Sequence, residues 1–176
     1  MNKYKILFAD LDDTLIKTAS GKTFAEDPTD FRIRKDVLDK IKEYDFKCIC
    51  IVTNQGGIPE YISMYDFETK LKAIKTFISG YCQKSCYAKW CASTDKDNPR
   101  RKPNTGMLDE YWKIFKEYGI TKDECLMIGD ASGKPGDFSD SDKKTAENFG
   151  IDYIDVEEFV GLYSQYDEPY IDETYM

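Results

Sequence analysis

Tyr4-Lys5-Ile6-Leu7-Phe8-Ala9-Asp10-Leu11-Asp12-Asp13-Thr14-Leu15 decides how this chain is read. The run from Tyr4 to Ala9 is short and apolar, and it reads as a buried strand. It ends on Asp10, and Asp10, Asp12 and Asp13 crowd three carboxylates at the strand exit. Carboxylates this close repel one another, and a hard divalent cation is their natural partner. Because side chains alternate along an extended backbone, Asp10 and Asp12 can converge on one side while Leu11 packs on the other. Taken alone, the same stretch also fits an acidic turn or a helix cap.

Working outward, Ile49 to Val52, led in by Phe46-Lys47-Cys48, predicts a second strand that ends at Thr53-Asn54-Gln55-Gly56-Gly57. Cys86 to Ala92 is a weaker third, Cys125 to Ile128 a fourth running into Gly129-Asp130, and Asp152 to Ile154 a short fifth. Helical spacing falls between them. Val37, Leu38 and Ile41 form one short face; Phe67, Leu71, Ile74 and Ile78 a longer one; Met107, Tyr111, Ile114 and Tyr118 a third, with Gly119 as a stop. Ala146 and Phe149 precede Gly150 in a fourth, and Val156 to Leu162 gives a last short helix. Strands alternating with helices predict an α/β fold: a doubly wound, mostly parallel five-stranded sheet with helices on both faces. Residues 1–160 are expected to form one domain, and residues 161–176 an acidic, Tyr-rich C-terminal tail. The irregular stretches, Lys17 to Phe31 and Ser93 to Asn104, both follow strand ends, where such sheets build their sites.

Composition narrows the chemistry. The 176 residues are 41% hydrophobic and 33% charged, as in a soluble globular domain. No apolar run approaches the ~20 residues that span a bilayer, and the start shows no signal-peptide pattern. An intracellular, cytoplasmic protein without membrane contact is expected. Histidine is absent, which excludes Ser-His-Asp and Cys-His catalysis and leaves acid–base work to carboxylates, Lys, Cys or Tyr. The six cysteines read as reduced thiols, with Cys48 and Cys50 on one face of a strand. Cys82, Cys86 and Cys91 lack the His or CxxC pair that completes most zinc sites. A net charge of −8 argues against bulk, nonspecific nucleic-acid binding but leaves room for a local basic groove.

Three further signals sit at strand ends or before helices. Thr53 and Asn54 offer a hydroxyl and backbone N–H groups at a strand-to-helix turn, which suits a phosphate or an ordinary turn. Arg100-Arg101-Lys102-Pro103 precedes the helix of Met107, so Lys102 and Arg101 are candidate phosphate contacts, or members of a solvated basic loop. Gly129-Asp130 ends the fourth strand, which in a doubly wound sheet neighbours the first. Asp130 would then stand beside Asp10 and complete a Mg²⁺ site, or serve as a turn residue.

Read together, the order D-x-D-x-T, Thr, Lys, Gly-Asp resembles the haloacid dehalogenase superfamily of phosphotransferases. The resemblance implies that Asp10 is the nucleophile that becomes an aspartyl-phosphate. It makes Asp12 the group that protonates the leaving oxygen and then activates water. It has Thr53 and Lys102 hold the phosphate, while Asp10, the backbone carbonyl of Asp12 and Asp130 bind Mg²⁺. More narrowly, Leu11 to Lys22 with Asp27-Pro28-Thr29-Asp30-Phe31, Thr53 to Ile58, Arg101 to Met107 and Gly129 to Pro135 resemble the 3′-phosphatase domain of polynucleotide kinase 3′-phosphatases. Asp137-Phe138-Ser139 with Asp142-Lys143 fits the same family, and Asp142 is then expected to support the metal site. The likeness runs from about Lys5 to Phe159.

It implies no large cap domain, an open site, and a phosphorylated DNA or RNA end as substrate. Asp13 departs from the family, whose eukaryotic members carry Gly there. Lys17, Lys22, Arg32, Arg34, Lys35, Arg100 and Arg101 are expected to line one groove, with Lys17 and Arg101 touching substrate. No kinase half is expected: Gly21-Lys22-Thr23 is no nucleotide-binding loop, since Ile16 stands where the first Gly is required. A kinase or ligase would be a separate partner. The competing expectations are a small-molecule phosphatase acting on a sugar bisphosphate or nucleotide, and a catalytically silent binding module.

Overall fold

The computed structural model describes residues 3–161 except Phe24 and Glu26. The elements in chain order are β1 (Ile6–Ala9), β2 (Ile16–Lys17), β3 (Arg32–Ile33), α1 (Lys35–Lys42), β4 (Cys48–Asn54) and α2 (Met64–Cys82), followed by β5 (Ser85–Cys91), α3 (Gly106–Phe115), β6 (Cys125–Gly129), α4 (Ser141–Phe149), β7 (Asp152–Asp155) and α5 (Val156–Phe159). Five strands form one sheet in the order β5-β4-β1-β6-β7, and every neighbouring pair in it is parallel. The strand of Asp10 is therefore central. Ile6 lies opposite Cys48 on one side and Cys125 on the other. This is the expected doubly wound sheet, with the first and fourth of its strands adjacent.

Period-two alternation divides the buried side chains between two cores. Leu7, Ala9, Ile49, Ile51, Leu126 and Ile128 face α1, α2 and α5, packing on Leu38, Ile41, Phe67, Ile74 and Phe159. Ile6, Phe8, Cys48, Cys50, Cys125 and Met127 face α3 and α4, packing on Met107, Leu108, Tyr111, Ala146 and Phe149. Cys48 and Cys50 do share one face. Each fully buried aliphatic or aromatic side chain stabilises the fold by roughly 1.5–3 kcal/mol, so the sheet is clamped from both sides and its C-terminal edge is rigidly placed.

The helical readings hold with one correction. In α2, Phe67, Leu71, Ile74 and Ile78 are buried as expected, and the Ser63 hydroxyl caps the helix by accepting from the Asp66 N–H. In α3 the buried stripe is shifted. Met107 and Tyr111 pack inward, but Ile114 and Tyr118 are exposed. Trp112 and Phe115 pack on the core in their place. Leu108, Tyr111, Trp112 and Phe115 follow i, i+3, i+4, i+7, and the larger rings win the inward face. The helix then tightens into a 3₁₀ turn at Lys116–Tyr118 and stops at Gly119. α5 ends at Phe159; Leu162 and the tail beyond Gly161 lie outside the described residues. Between β1 and α1 the chain makes a two-stranded antiparallel ribbon, β2 with β3, pairing Lys17 with Arg32. Among the described residues, no helix is long and apolar enough to cross a membrane.

Candidate active site

Four chain segments deliver carboxylates and a lysine to the C-terminal edge of the sheet. Asp10 leaves the end of β1 and is buried, as are Lys102 and Asp142. Lys102 Nζ donates to Asp10 Oδ1 at 2.5 Å and to Asp142 Oδ1 at 2.6 Å. Asp10, Asp130 and Asp142 each offer an oxygen, and the three atoms lie within 4.8 Å of one another. Thr14 donates its hydroxyl to Asp130 Oδ1 at 3.2 Å. Adjacency of β1 and β6 thus brings Asp10 and Asp130 together.

The electrostatics follow from that crowding. Burial pushes the Asp10 carboxyl well above the usual carboxylate range; Asp142, Asp130 and Asp12 push the same way, against Lys102. Burial also raises Asp130, to about 6, with the Asp142 charge adding to it. Burial alone would lower Lys102, but Asp10 and Asp142 more than offset it and hold the ammonium protonated. One cation among three carboxylates leaves the cluster short of positive charge. Oxygen-only donors in a buried, net-negative cluster fit a small hard divalent ion such as Mg²⁺.

Local sequence explains the placement. Gly129 is required by close approach: a Cβ there would lie 2.2 Å from Asp142 Oδ2. Asp142 is further held by the Ala131 N–H, which donates to Oδ2 at 3.2 Å. Asp13 adopts φ 55, in the left-handed region. This is where the resembled family carries Gly, and Asp tolerates that region better than most residues.

The remaining candidates have specific neighbours. Asp12 is exposed at the mouth, and its Oδ2 accepts from Gln55 Nε2 at 2.7 Å. The same Gln55 amide donates to Thr53 Oγ1 at 3.0 Å, and Thr53 is buried beside Asp10's strand. The Asn54 side chain faces the Lys102 backbone: its Nδ2 donates to Lys102 O at 3.0 Å and its Oδ1 accepts from Lys102 N at 2.9 Å. It pins the lysine loop. Arg101 donates from Nη1 to Ser93 O at 2.8 Å.

The expected groove of basic residues is not all in one place. Arg34 is buried and bonds Glu157 at 2.7 Å and Asp36 at 2.6 Å; a buried guanidinium needs such partners. Arg100 pairs with Glu110 of α3 at 2.9 Å. Lys17 instead stands opposite Arg32 in the ribbon that begins at the site loop. Sequence pattern alone assigns no role to Gln55 or Thr14. The signal for both was present, since each lies inside a motif that already supplies a site residue.

All six cysteines are free thiols. Cys82 donates towards Leu38 O, whereas Cys91 faces Asn98. Among the described residues, the Asp10, Asp130 and Asp142 group is the one cluster with metal-ligand spacing, so Cys82, Cys86 and Cys91 do not converge.

The fold and the sequence both have counterparts among known proteins. A HAD-like phosphatase from Mesorhizobium loti has the same fold, with a TM-score of 0.59 and 22% identity over 84% of this chain and 69% of that one. The D,D-heptose 1,7-bisphosphate phosphatase of B. bronchiseptica, complexed with magnesium and phosphate, gives a TM-score of 0.63 at 18% identity, covering 85% of this chain and 78% of that one. The fold is therefore haloacid dehalogenase-like. The bifunctional polynucleotide phosphatase/kinase of Schizosaccharomyces pombe is 37% identical over 159 residues, which are 88% of this chain and 37% of that protein. The family model described as polynucleotide kinase 3 phosphatase matches residues 5–160, and the chain belongs to that family.

Proposed function

We propose that this chain is a Mg²⁺-dependent phosphatase that removes phosphate from the 3′ ends of polynucleotides. The observation that carries this reading is the Asp10–Lys102–Asp142 arrangement, with Asp130 alongside, at the C-terminal edge of the central strand. Asp10, Asp130 and the backbone carbonyl of Asp12 would hold the ion, with Asp142 in support. When bound, it supplies positive charge against the equatorial oxygens of the phosphoryl group.

An Asp10 carboxylate oxygen attacks phosphorus, and the bond from phosphorus to the 3′ oxygen breaks. Asp12 gives its proton to that oxygen, leaving a 3′-hydroxyl and a phosphate on Asp10. Asp12 then takes a proton from water, whose oxygen attacks phosphorus and releases inorganic phosphate and the Asp10 carboxylate. Splitting the reaction this way exploits a labile acyl phosphate. Lys102 holds Asp10 in line and shares the phosphoryl charge, while Thr53 binds a phosphoryl oxygen. Histidine is not needed at any step.

The polynucleotide end is favoured by the family and by the ribbon. Lys17 and Arg32 stand directly opposite each other there, a like-charge pairing that an anionic backbone would relieve. The free thiols accord with a reducing, cytoplasmic setting, and a separate kinase or ligase would complete end repair. The test compares matched oligonucleotides ending in 3′-phosphate or 5′-phosphate with a panel of sugar phosphates, using native protein and Asp10→Asn. The 3′-phosphorylated end should be the best substrate, and Asp10→Asn should lose all turnover. A sugar bisphosphate as best substrate would favour the small-molecule reading.

A further inference from the structure

Arg34 stands at the entry to α1 and is only 7% exposed. Its guanidinium makes five hydrogen bonds, as many as it has N–H groups. Nε and Nη2 donate to Asp36 at 3.4 and 2.6 Å, Nη1 and Nη2 to Glu157 at 2.7 and 3.3 Å, and Nη1 also to Asp13 O at 3.3 Å. Asp36 belongs to α1 and Glu157 to α5. The remaining bond therefore runs from a cation anchored on two helices to the backbone of the loop that carries Asp10, Asp12 and Thr14. A main-chain tie supports it, since Arg34 N donates to Leu15 O at 2.9 Å.

Stability alone is a poor reason to bury this charge. An apolar side chain of similar volume often serves a core as well as a buried ion pair does. What it cannot supply is a donor for Asp13 O. Among the described residues, Arg34 is the one side chain that bonds the backbone from Asp12 to Thr14. That backbone needs a tie, because Asp13 is held at φ 55, which costs a non-glycine residue free energy. The dihedrals of Asp13 set where Asp12 lies relative to Thr14, and Thr14 is fixed on Asp130 at 3.2 Å. Asp10 is held separately, by its N–H on Ile128 O at 3.1 Å and by Lys102 at 2.5 Å. A relaxed turn would thus move Asp12 against the site while leaving Asp10 in place.

We infer that Arg34 is a positioning residue: it holds the Asp13 carbonyl so that the Asp12 carboxyl is aimed at the leaving 3′ oxygen. The inference rests on the roles given above to Asp10 and Asp12. Its signature lies in the leaving group. A sugar oxygen must take a proton as its bond to phosphorus breaks, whereas nitrophenolate departs without one, so loss of aim at Asp12 slows the first and spares the second. A merely structural role would slow both alike.

The experiment mixes the whole chain with Mg²⁺, in excess over substrate, with an oligonucleotide ending in 3′-phosphate or with nitrophenyl phosphate, so that each trace follows the first chemical step alone. Native protein, Arg34→Met, Arg34→Lys and Asp10→Asn are compared. Arg34→Met should slow release of the 3′-hydroxyl end by about tenfold or more, with nitrophenolate release within about twofold of native. Arg34→Lys keeps a cation between Asp36 and Glu157 but lacks the planar fork that also reaches Asp13 O. It should show the same split, which frees the test from any folding defect in Arg34→Met. Equal losses on the two substrates, or no loss on either, would overturn the positioning role. Native protein that releases neither product, or Asp10→Asn that releases both, would instead sink the reading beneath it.

Discussion

Gln55 holds Asp12 by a 2.7 Å hydrogen bond and reaches Thr53 with the same amide, at 3.0 Å. The proposed proton donor and the proposed phosphate-binding hydroxyl are thus set relative to each other by one side chain two residues beyond Thr53. An exposed carboxylate without that bond would sample several rotamers, and general acid–base catalysis, worth roughly 10²–10⁴-fold, depends on its aim. Gln55→Ala should lower kcat by about tenfold or more while leaving KM nearly unchanged. Steady-state kinetics over a range of pH would check this, and unchanged kcat would remove Gln55 from the mechanism.

Lys102 neutralises two buried carboxylates at once. Removing one partner of a buried pair costs about 3–5 kcal/mol, because the remaining charge is stranded. Lys102→Met should therefore melt well below the native protein in chelator. Mg²⁺ should raise its melting temperature more than it raises the native one, since the ion then meets the unbalanced carboxylates alone. Thermal melts with and without Mg²⁺ decide the point; equal shifts would mean the ion does not sit among these groups.

Asp13 tests a backbone requirement. Its φ of 55 suits Gly, is tolerable for Asp, and strains a β-branched residue. Asp13→Gly should fold with nearly native stability, and Asp13→Val should lose about 1–2 kcal/mol. Urea denaturation of the two variants makes the comparison, and equal stabilities would contradict the backbone assignment.

The buried thiols give a pH dependence. Burial pushes Cys125, fully buried, and Cys86, half-buried, up from the ordinary 9.0 to about 12. A raised value means that the folded state binds the proton more tightly than the unfolded chain. The stabilisation is complete below that ordinary value of 9.0 and is lost as pH climbs towards 12. Chemical denaturation should thus show stability declining from about pH 9 to 12. In the native protein the buried Cys125 should resist alkylation at about pH 8.5 and react freely in denaturant, as read by mass spectrometry.

The charged ribbon yields a substrate-specific effect. Lys17→Glu with Arg32→Glu should weaken turnover of a 3′-phosphorylated oligonucleotide by about tenfold or more at low salt and shrink its salt dependence. Turnover of a small alkyl phosphate should fall far less. Equal losses would place the ribbon's role in folding.

Local pattern made much of this protein legible. A short apolar run ending in Asp10, with alternating strands and helices, specifies a central strand whose residues must split between two cores, since side-chain direction reverses at every residue. The strand ends and the turn motifs after them were readable for the same reason. What a side chain meets across the fold was not. Asn54 turns to the Lys102 backbone 48 residues away. Arg34 is drawn inward by Glu157, 123 residues distant, and is unavailable to any groove. α3 packs the half-buried Trp112 and Phe115 against the core in place of Ile114, with their rings beside Phe149 and Phe8. The union of Asp10, Lys102, Asp130 and Asp142 depends on how four crossovers wind around β1. Periodicity in a chain records which way each residue faces; only the packed tertiary structure decides which distant residue it faces.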